Sequence, residues 1–324
     1  MGLKKMETIR WGILGCGDIA QKRVADAIRR DSRSQLVAAC RRDVNRLGDF
    51  CRRFDVPHAI PQSADLFRST EIDAVYVATP VHLHRQNVLE AAAAGKHILV
   101  EKPMALNAVE CDEMVAACTN SGVTLSVAYY RRFYPIVNRI KELIASGELG
   151  KPLSVSATTG NPTLFPDSDW RVVLAQGGGG PLMDIGSHRI DLFLDMFGPV
   201  ANVKSCVESI GSTYESEDTA VVMLKFVAGP VGLLQTYFGA TDVPDQFSVL
   251  CTNGSMATSS LNDGELLIRR AGSVSIEQHP PDANLHAPLI VDFTEAIADG
   301  RPPVVTGEQG ADVNRVIDLA YAES

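Results

Sequence analysis

The stretch Ile9-Arg10-Trp11-Gly12-Ile13-Leu14-Gly15-Cys16-Gly17-Asp18-Ile19-Ala20 decides the reading of this chain. Residues 9–14 form a short apolar run, the length of one buried strand of a parallel sheet. A glycine turn, Gly15-x-Gly17-x-x-Ala20, follows directly, and residues 19–28 have the spacing of a helix. In the dinucleotide fingerprint the first glycine makes the tight turn and the second lets backbone approach a diphosphate. The third small residue, here Ala20, lets the helix sit close to the strand. The helix start at Asp18 and Ile19 offers free N–H groups and a partial positive charge to phosphates. A glycine turn alone is common in plain loops; the strand before it and the helix after it favour the nucleotide reading.

Outward from that stretch, strand and helix alternate through the first 128 residues. Strands are expected at 35–39, 74–78, 97–100 and 124–128, with helices at 45–54, 64–68, 83–94 and 108–119. Asn107 with Glu110 three residues on resembles a capping box. Such alternation predicts an α/β fold with a doubly wound parallel sheet, whose ligand lies outside the carboxyl ends of the strands. The residues after each strand are therefore the ones that matter: 15–20, 40–43, Thr79 to His84, and Glu101 to Pro103.

After Tyr129 the texture changes. A helix over 136–144 and a strand over 155–159 precede the glycines 177–180, Pro181 and an apolar helix to Phe197. From 201 to 270, short strand-like runs (220–226, 231–237, 246–250, 265–269) separated by Gly, Pro and Asn turns predict an antiparallel or mixed sheet. Helices over 289–298 and 311–322 follow. Two domains are expected, 1–128 for the dinucleotide and 129–324 for substrate and oligomerisation.

The 324 residues are 45% hydrophobic and 21% charged, which supports a large core and argues against disorder. A net charge of −9 makes nucleic acid or an anionic membrane an unsuitable general partner. No apolar run reaches the roughly 18 residues of a membrane span. The chain starts without an apolar signal core, and Met6 stands where a myristoylation signal needs Ser or Thr. Seven scattered cysteines with no Cys-x-x-Cys pair fit a reduced, cytoplasmic protein.

The second strand is followed by Cys40-Arg41-Arg42-Asp43, where an NAD-preferring site would carry a carboxylate for the ribose hydroxyls, about 20 residues beyond the glycine turn. Residues 41–53 hold five arginines against two aspartates in an otherwise acidic chain. A solvated helix face accounts for Arg52 and Arg53. Arg41 and Arg42, with Arg46 close behind, suit the 2′-phosphate of NADP better than the free hydroxyl of NAD, although NAD stays open.

Glu101-Lys102-Pro103 comes directly after the strand 97–100. Lys102 is either an ordinary surface lysine or, at the carboxyl edge of the sheet, a group facing the nicotinamide with a pKa lowered into acid–base range. Asp184 and His188 lie four residues apart on one helix face, the spacing of a carboxylate that orients an imidazole for proton transfer. Asp191 and Asp195 continue the stripe, so a polar face turned to water is equally open. A metal pair lacks nearby Cys or His to complete it, and no metal is expected.

Six segments then occur in order: the glycine turn, Thr79-Pro80-Val81-His82-Leu83-His84, Glu101-Lys102-Pro103, Tyr129-Tyr130-Arg131-Arg132-Phe133, Trp170-Arg171, and the glycine run leading to Asp184 and His188. This series resembles the glucose–fructose oxidoreductase/inositol dehydrogenase (Gfo/Idh/MocA) family across essentially the whole chain. The resemblance implies an N-terminal Rossmann domain and a C-terminal α+β domain with an open, mostly antiparallel sheet, whose exposed face mediates homodimers or homotetramers. It implies that Lys102 contacts the substrate hydroxyl and nicotinamide ribose, and that His188 is the general acid/base with Asp184 beside it. Thr79, Pro80 and His84 would line the cofactor together with Glu101, and Trp170, Arg171 and Tyr321 would also contact it. Arg41 and Arg42 match the NADP-type loop. Arg189 stands where some members carry Asp, a departure that bears on substrate preference. The implied function is NADP(H)-dependent hydride transfer on a sugar, polyol or related secondary alcohol. A trans-dihydrodiol or xylose dehydrogenase-like activity, or a non-catalytic dinucleotide sensor, are the alternatives.

Overall fold

The computed structural model describes residues 8–324, and the chain divides into two compact units. The start of the chain, read above for a leader and for myristoylation, lies outside the described residues.

The first unit is built on six strands: β1 (Ile9–Leu14), β2 (Ser34–Cys40), β3 (His58–Ile60), β4 (Ala74–Val77), β5 (His97–Val100) and β6 (Leu125–Val127). Their order is β3-β2-β1-β4-β5-β6 and every pairing is parallel. That order reverses direction between β1 and β4, the place where doubly wound sheets bind ligands. Both faces are covered by helices α1 (Ala25–Arg30), α2 (Val44–Phe54), α3 (Ser63–Arg68), α4 (His84–Ala93) and α5 (Ala108–Ser121). The central strands are therefore mostly apolar, and β4 is buried along its whole length. The expected cap of α5 forms: Asn107 accepts from the backbone N–H of Glu110 at 3.0 Å. Glu110 reaches back to the N–H of Leu106 at 3.1 Å, one residue before the usual capping-box partner.

The second unit carries α6 (Pro135–Ser146), the short α7 (Leu174–Gly177) and α8 (Ser187–Phe197) with eight strands. These are β7 (Pro152–Asn161), β8 (Val200–Glu208), β9 (Thr219–Phe226), β10 (Val231–Phe238), β11 (Gln246–Cys251), β12 (Gly254–Thr258), β13 (Glu265–Arg270) and β14 (Ser273–Gln278). The order is β14-β13-β12-β11-β7-β10-β9-β8, antiparallel except for the parallel β7–β10 pair. Alternating burial along β9 and β10 gives the sheet one packed face and one open face. Phe193 and Phe197 of α8 lie on that packed face, with ring centroids 5.7 Å from Phe247 and 5.5 Å from Phe226.

Helix α8 is buried nearly all round, so most of its acidic stripe is withdrawn from water, Asp191 completely and Asp195 in large part. Arg132 instead grips Asp191 through Nη2 at 2.6 Å and reaches Asp195 at 3.2 Å, while Lys141 of α6 holds Asp195 at 2.8 Å. Burial pushes Asp191 up to about 6, against the pull of Arg132.

Two helices follow, α9 (Ala287–Asp299) and α10 (Gly307–Ala322). The segment Asp282–Ala311 belongs to the first unit, so a single cut at 128/129 does not describe the chain. The reason lies in α9, whose Leu289, Ile290 and Phe293 are fully buried, Phe293 with its ring 5.4 Å from that of Trp11 on β1.

Candidate active site

Within the first unit, Gly15 has φ +95°, and a methyl group there would come within 2.5 Å of the Ala78 carbonyl oxygen. The turn at the end of β1 thus needs glycine to pass the end of β4. Gly17 is different: beyond its own chain neighbours, no atom of the described residues lies within 4 Å of where its Cβ would be. The fold makes no demand for glycine at that position, and the space belongs to a cleft of about 650 Å³ lined by Gly15, Gly17, Arg41, Arg42, Thr79 and Pro80 among others. The residues present therefore fit a dinucleotide diphosphate. Ala20 is fully buried and opens a π-helical turn, Ala20–Val24, that runs into α1. Asp18 is exposed and pairs with Lys22 at 2.7 Å, and neither Asp18 nor Ile19 is among the lining residues.

At the end of β2, Arg41 donates from Nη1 to the carbonyl oxygen of Cys16 at 2.7 Å, tying the two loops together. Arg42 is exposed on the wall of the same cleft. Asp43 caps α2 by accepting from Asn45 and Arg46 N–H at 3.1 Å each. Arg46, expected at the cofactor, lies outside the cleft lining and leans on Asp43 at 3.5 Å. Burial pushes the thiols of Cys16 and Cys40 up to about 12, which keeps them unreactive at neutral pH.

His84 departs from expectation. It is 1% exposed, is absent from the cleft lining, and braces two loops from the first turn of α4. Its Nε2 lies 2.8 Å from the Thr79 carbonyl oxygen and its Nδ1 3.1 Å from that of Pro103. Burial holds its pKa below the ordinary value, against the pull of those carbonyls. His84 is a brace behind the cleft rather than a wall of it, because its helix position turns inward.

Lys102 is half-buried at the end of β5, next to a buried carboxylate. Glu101 accepts from Tyr76 OH at 2.6 Å and from the backbone N–H of Lys102 at 3.2 Å, and faces His286 Nε2 at 3.6 Å. Burial alone would push Glu101 up; the facing His286 imidazole, the hydrogen bond from Tyr76 and the Lys102 charge outweigh it and hold the carboxyl below its ordinary value.

In the second unit, Asp184 sits in the π-helical turn Leu182–Gly186 and His188 in the first turn of α8, where it is 6% exposed. Buried Glu217 anchors the start of this turn, accepting from Gly180 N–H at 2.8 Å and Leu182 N–H at 3.0 Å. The Tyr321 hydroxyl, expected at the cofactor, donates to Glu217 at 3.0 Å. Arg189 pairs with Asp245. Arg171 lies 4.5 Å over the ring of Trp170 and pairs with Asp169 at 3.3 Å. Glu217 and His286 had no local signal in the sequence, because each acts on residues distant along the chain. No cluster of His, Cys, Asp and Glu able to hold a metal occurs among the described residues, and no helix there is long and apolar enough to cross a membrane.

Comparison with known proteins accords with the fold of both units. Residues 9–129 match the model of an oxidoreductase family with an NAD-binding Rossmann fold, and residues 137–257 match the GFO/IDH/MocA C-terminal domain. A 1,5-anhydro-D-fructose reductase from Ensifer adhaerens is 29% identical over 310 residues, 93% of this chain and 92% of that one. A trans-1,2-dihydrobenzene-1,2-diol dehydrogenase from Mus musculus is 33% identical over 230 residues, 69% of this chain and 67% of that one. The aldose-aldose oxidoreductase of Caulobacter crescentus superposes with a TM-score of 0.91 at 25% identity, covering 98% of this chain and 97% of that structure. The aligned part spans between 60% and 92% of the length of these and similar curated relatives, and less than two thirds of several of them. The chain belongs to the Gfo/Idh/MocA family of oxidoreductases.

Proposed function

We propose that this protein is an NADP(H)-dependent oxidoreductase acting on a sugar, polyol or related secondary alcohol. The observation that carries the reading is Gly17, a glycine the fold does not need, opening into a cleft whose β2 side bears Arg41 and Arg42. When bound, the dinucleotide would supply or accept a hydride at nicotinamide C4. Gly15 and Gly17 hold the turn open for its diphosphate, and Arg42 offers a fork for a 2′-phosphate. Lys102, fixed through its backbone by Glu101, presents its ammonium to the substrate oxygen. In the oxidative direction His188 takes the hydroxyl proton as the carbinol carbon gives up its hydride; in reduction it returns that proton to the carbonyl oxygen. Asp184 orients His188. Trp170 and Arg171 border the cofactor.

The 33% identity to a trans-dihydrodiol dehydrogenase supports a second reading of the substrate, a cyclic trans-diol. The proposal extends to the cytoplasm as its location, on the strength of seven free thiols, and to self-association. For the latter, Ser154 of β7 pairs with Val231 and with Leu250, and Met223 pairs with Leu233, so exposed Val231, Leu250 and Met223 share the open face of the sheet.

NADPH oxidation and NADP reduction against a panel of aldoses, polyols and trans-diols test the reading. Lys102→Met and His188→Ala should each lower kcat by about 10²-fold or more while dinucleotide affinity stays near wild type. Dinucleotide binding without turnover of any panel member would favour the sensor; near-full kcat in both variants would overturn the assigned roles.

A further inference from the structure

We propose that His286 is a positioning residue for Lys102 and acts through Glu101. The proposal rests on the reading of Lys102 as the group that meets the substrate, and concerns how that lysine is held.

His286 belongs to the segment that rejoins the first unit, far along the chain from Glu101. It is 0% exposed, and its ring lies 4.5 Å from that of Tyr130. Its backbone is placed independently of Glu101: its N–H donates to Asn284 Oδ1 at 3.1 Å, and Asn284 Nδ2 donates to the Arg23 carbonyl and to Asp26. The imidazole has no ordinary hydrogen bond among the described residues; its Nε2 points at Glu101 Oε1 from 3.6 Å. A buried, unsatisfied ring nitrogen is costly, and a phenyl group would stack on Tyr130 equally well. The polarity of this side chain therefore calls for a use, and the nearest group able to use it is the Glu101 carboxylate.

The two oxygens of Glu101 have separate duties. Oε2 accepts from the backbone N–H of Lys102, and Oε1 is anchored by Tyr76 OH from β4 and faced by His286. The carboxylate is thus a clamp, with one jaw on the lysine and the other on the core. The titratable and charged groups around it are Tyr76 on β4, His84 at the head of α4, Lys102 on its own turn and His286, with Tyr130 and Arg23 behind the imidazole. His286 is one of the groups that keep Glu101 ionised against its burial. Without it the carboxyl protonates more readily, and the Lys102 amide loses a charged acceptor.

Four full-length proteins test this: wild type, H286F, H286Q and K102M. Phenylalanine keeps the stack on Tyr130 and removes the polar nitrogen; glutamine keeps an Nε2 donor. Amide hydrogen exchange of the peptide spanning Glu101 to Met104 is measured without substrate or dinucleotide, alongside kcat, KM and the pH profile with NADPH and D-xylose, or whichever aldose turns over fastest. H286F should speed exchange at Lys102 by about tenfold and lower kcat by about tenfold, with KM and NADPH affinity near wild type. The acid limb of kcat should move to higher pH, since Glu101 rises when its partner goes. H286Q should recover most of each change. Wild-type exchange and an unmoved acid limb in H286F, or equal impairment in H286Q, would overturn the proposal. Should H286F not fold, H286L replaces it under the same criteria. K102M separates the two claims: near-full kcat there defeats the catalytic reading, while exchange at Lys102 in H286F still decides the clamp.

Discussion

Arg41 Nη1 and the carbonyl oxygen of Cys16 stand 2.7 Å apart, so an arginine from the end of β2 holds the glycine turn at the end of β1. That single contact divides the two neighbouring arginines into different kinds of residue. Arg42→Ala should weaken NADPH by about tenfold or more and leave NADH nearly unchanged, since one charge-assisted bond is worth roughly 1.5–3 kcal/mol. Arg41→Ala should weaken both dinucleotides, because it also releases the turn that receives the diphosphate. Titration of both cofactors against both variants checks this; equal wild-type affinities would mean that Arg42 only solvates the surface.

The two glycines of the turn should fail differently. Gly15→Ala forces a side chain into a left-handed conformation and against the Ala78 carbonyl, and should cost about 2 kcal/mol of stability or more. Gly17→Ala meets no protein atom, so urea unfolding should hardly shift, by about 0.5 kcal/mol at most, while NADPH affinity falls about tenfold. A Gly17→Ala protein that binds NADPH normally would remove the diphosphate from this cleft.

Tyr321→Phe separates bracing from cofactor contact. Its hydroxyl is one of the donors on buried Glu217, whose carboxyl is pushed up by burial and pulled down by those bonds. Loss of the hydroxyl should lower stability by about 1.5 kcal/mol in chemical denaturation. Unchanged stability with weakened NADPH would return Tyr321 to the cofactor.

Glu277 predicts the acid behaviour of the second unit. Arg139 holds both its oxygens, at 2.8 and 3.0 Å, and His279 lies 2.7 Å away. These partners pull the carboxyl from 4.5 down to about 2. A depressed carboxyl stabilises the fold above its unfolded value, and that contribution disappears as pH falls from about 4.5 to about 2. The pair is partly exposed, so Glu277→Gln should cost no more than about 1 kcal/mol at pH 7. The difference from wild type should vanish by pH 2 in urea titrations; a difference constant with pH would show that the ion pair contributes nothing.

Much of the fold was legible. The alternation of apolar strands with capped helices announced the parallel sheet, and β1, β4 and β5 lie where their apolar runs end. Short β3, and β8, β12 and β14 in the second unit, escaped because their exposed or mixed side chains give no clean alternation. The stripe Asp184, His188, Asp191 and Asp195 was ambiguous for a physical reason. Helical spacing puts four polar groups on one side but is silent about what packs there, and Arg132 turned out to hold two of them.

By itself, the sequence determined the alternation of strand and helix in the first unit, the glycine turn and the identity of the groups that follow β1, β2, β4 and β5, because these depend on local periodicity and backbone freedom. Only the tertiary structure decided what those groups touch. It set Arg46 against Asp43 and His84 against the carbonyls of Thr79 and Pro103, tied Arg41 to the turn, joined Tyr321 to Glu217, and brought His286 beside Glu101 from far along the chain. Those partnerships follow from burial, where each polar atom must find another wherever the fold delivers one, and no spacing along the chain encodes that meeting.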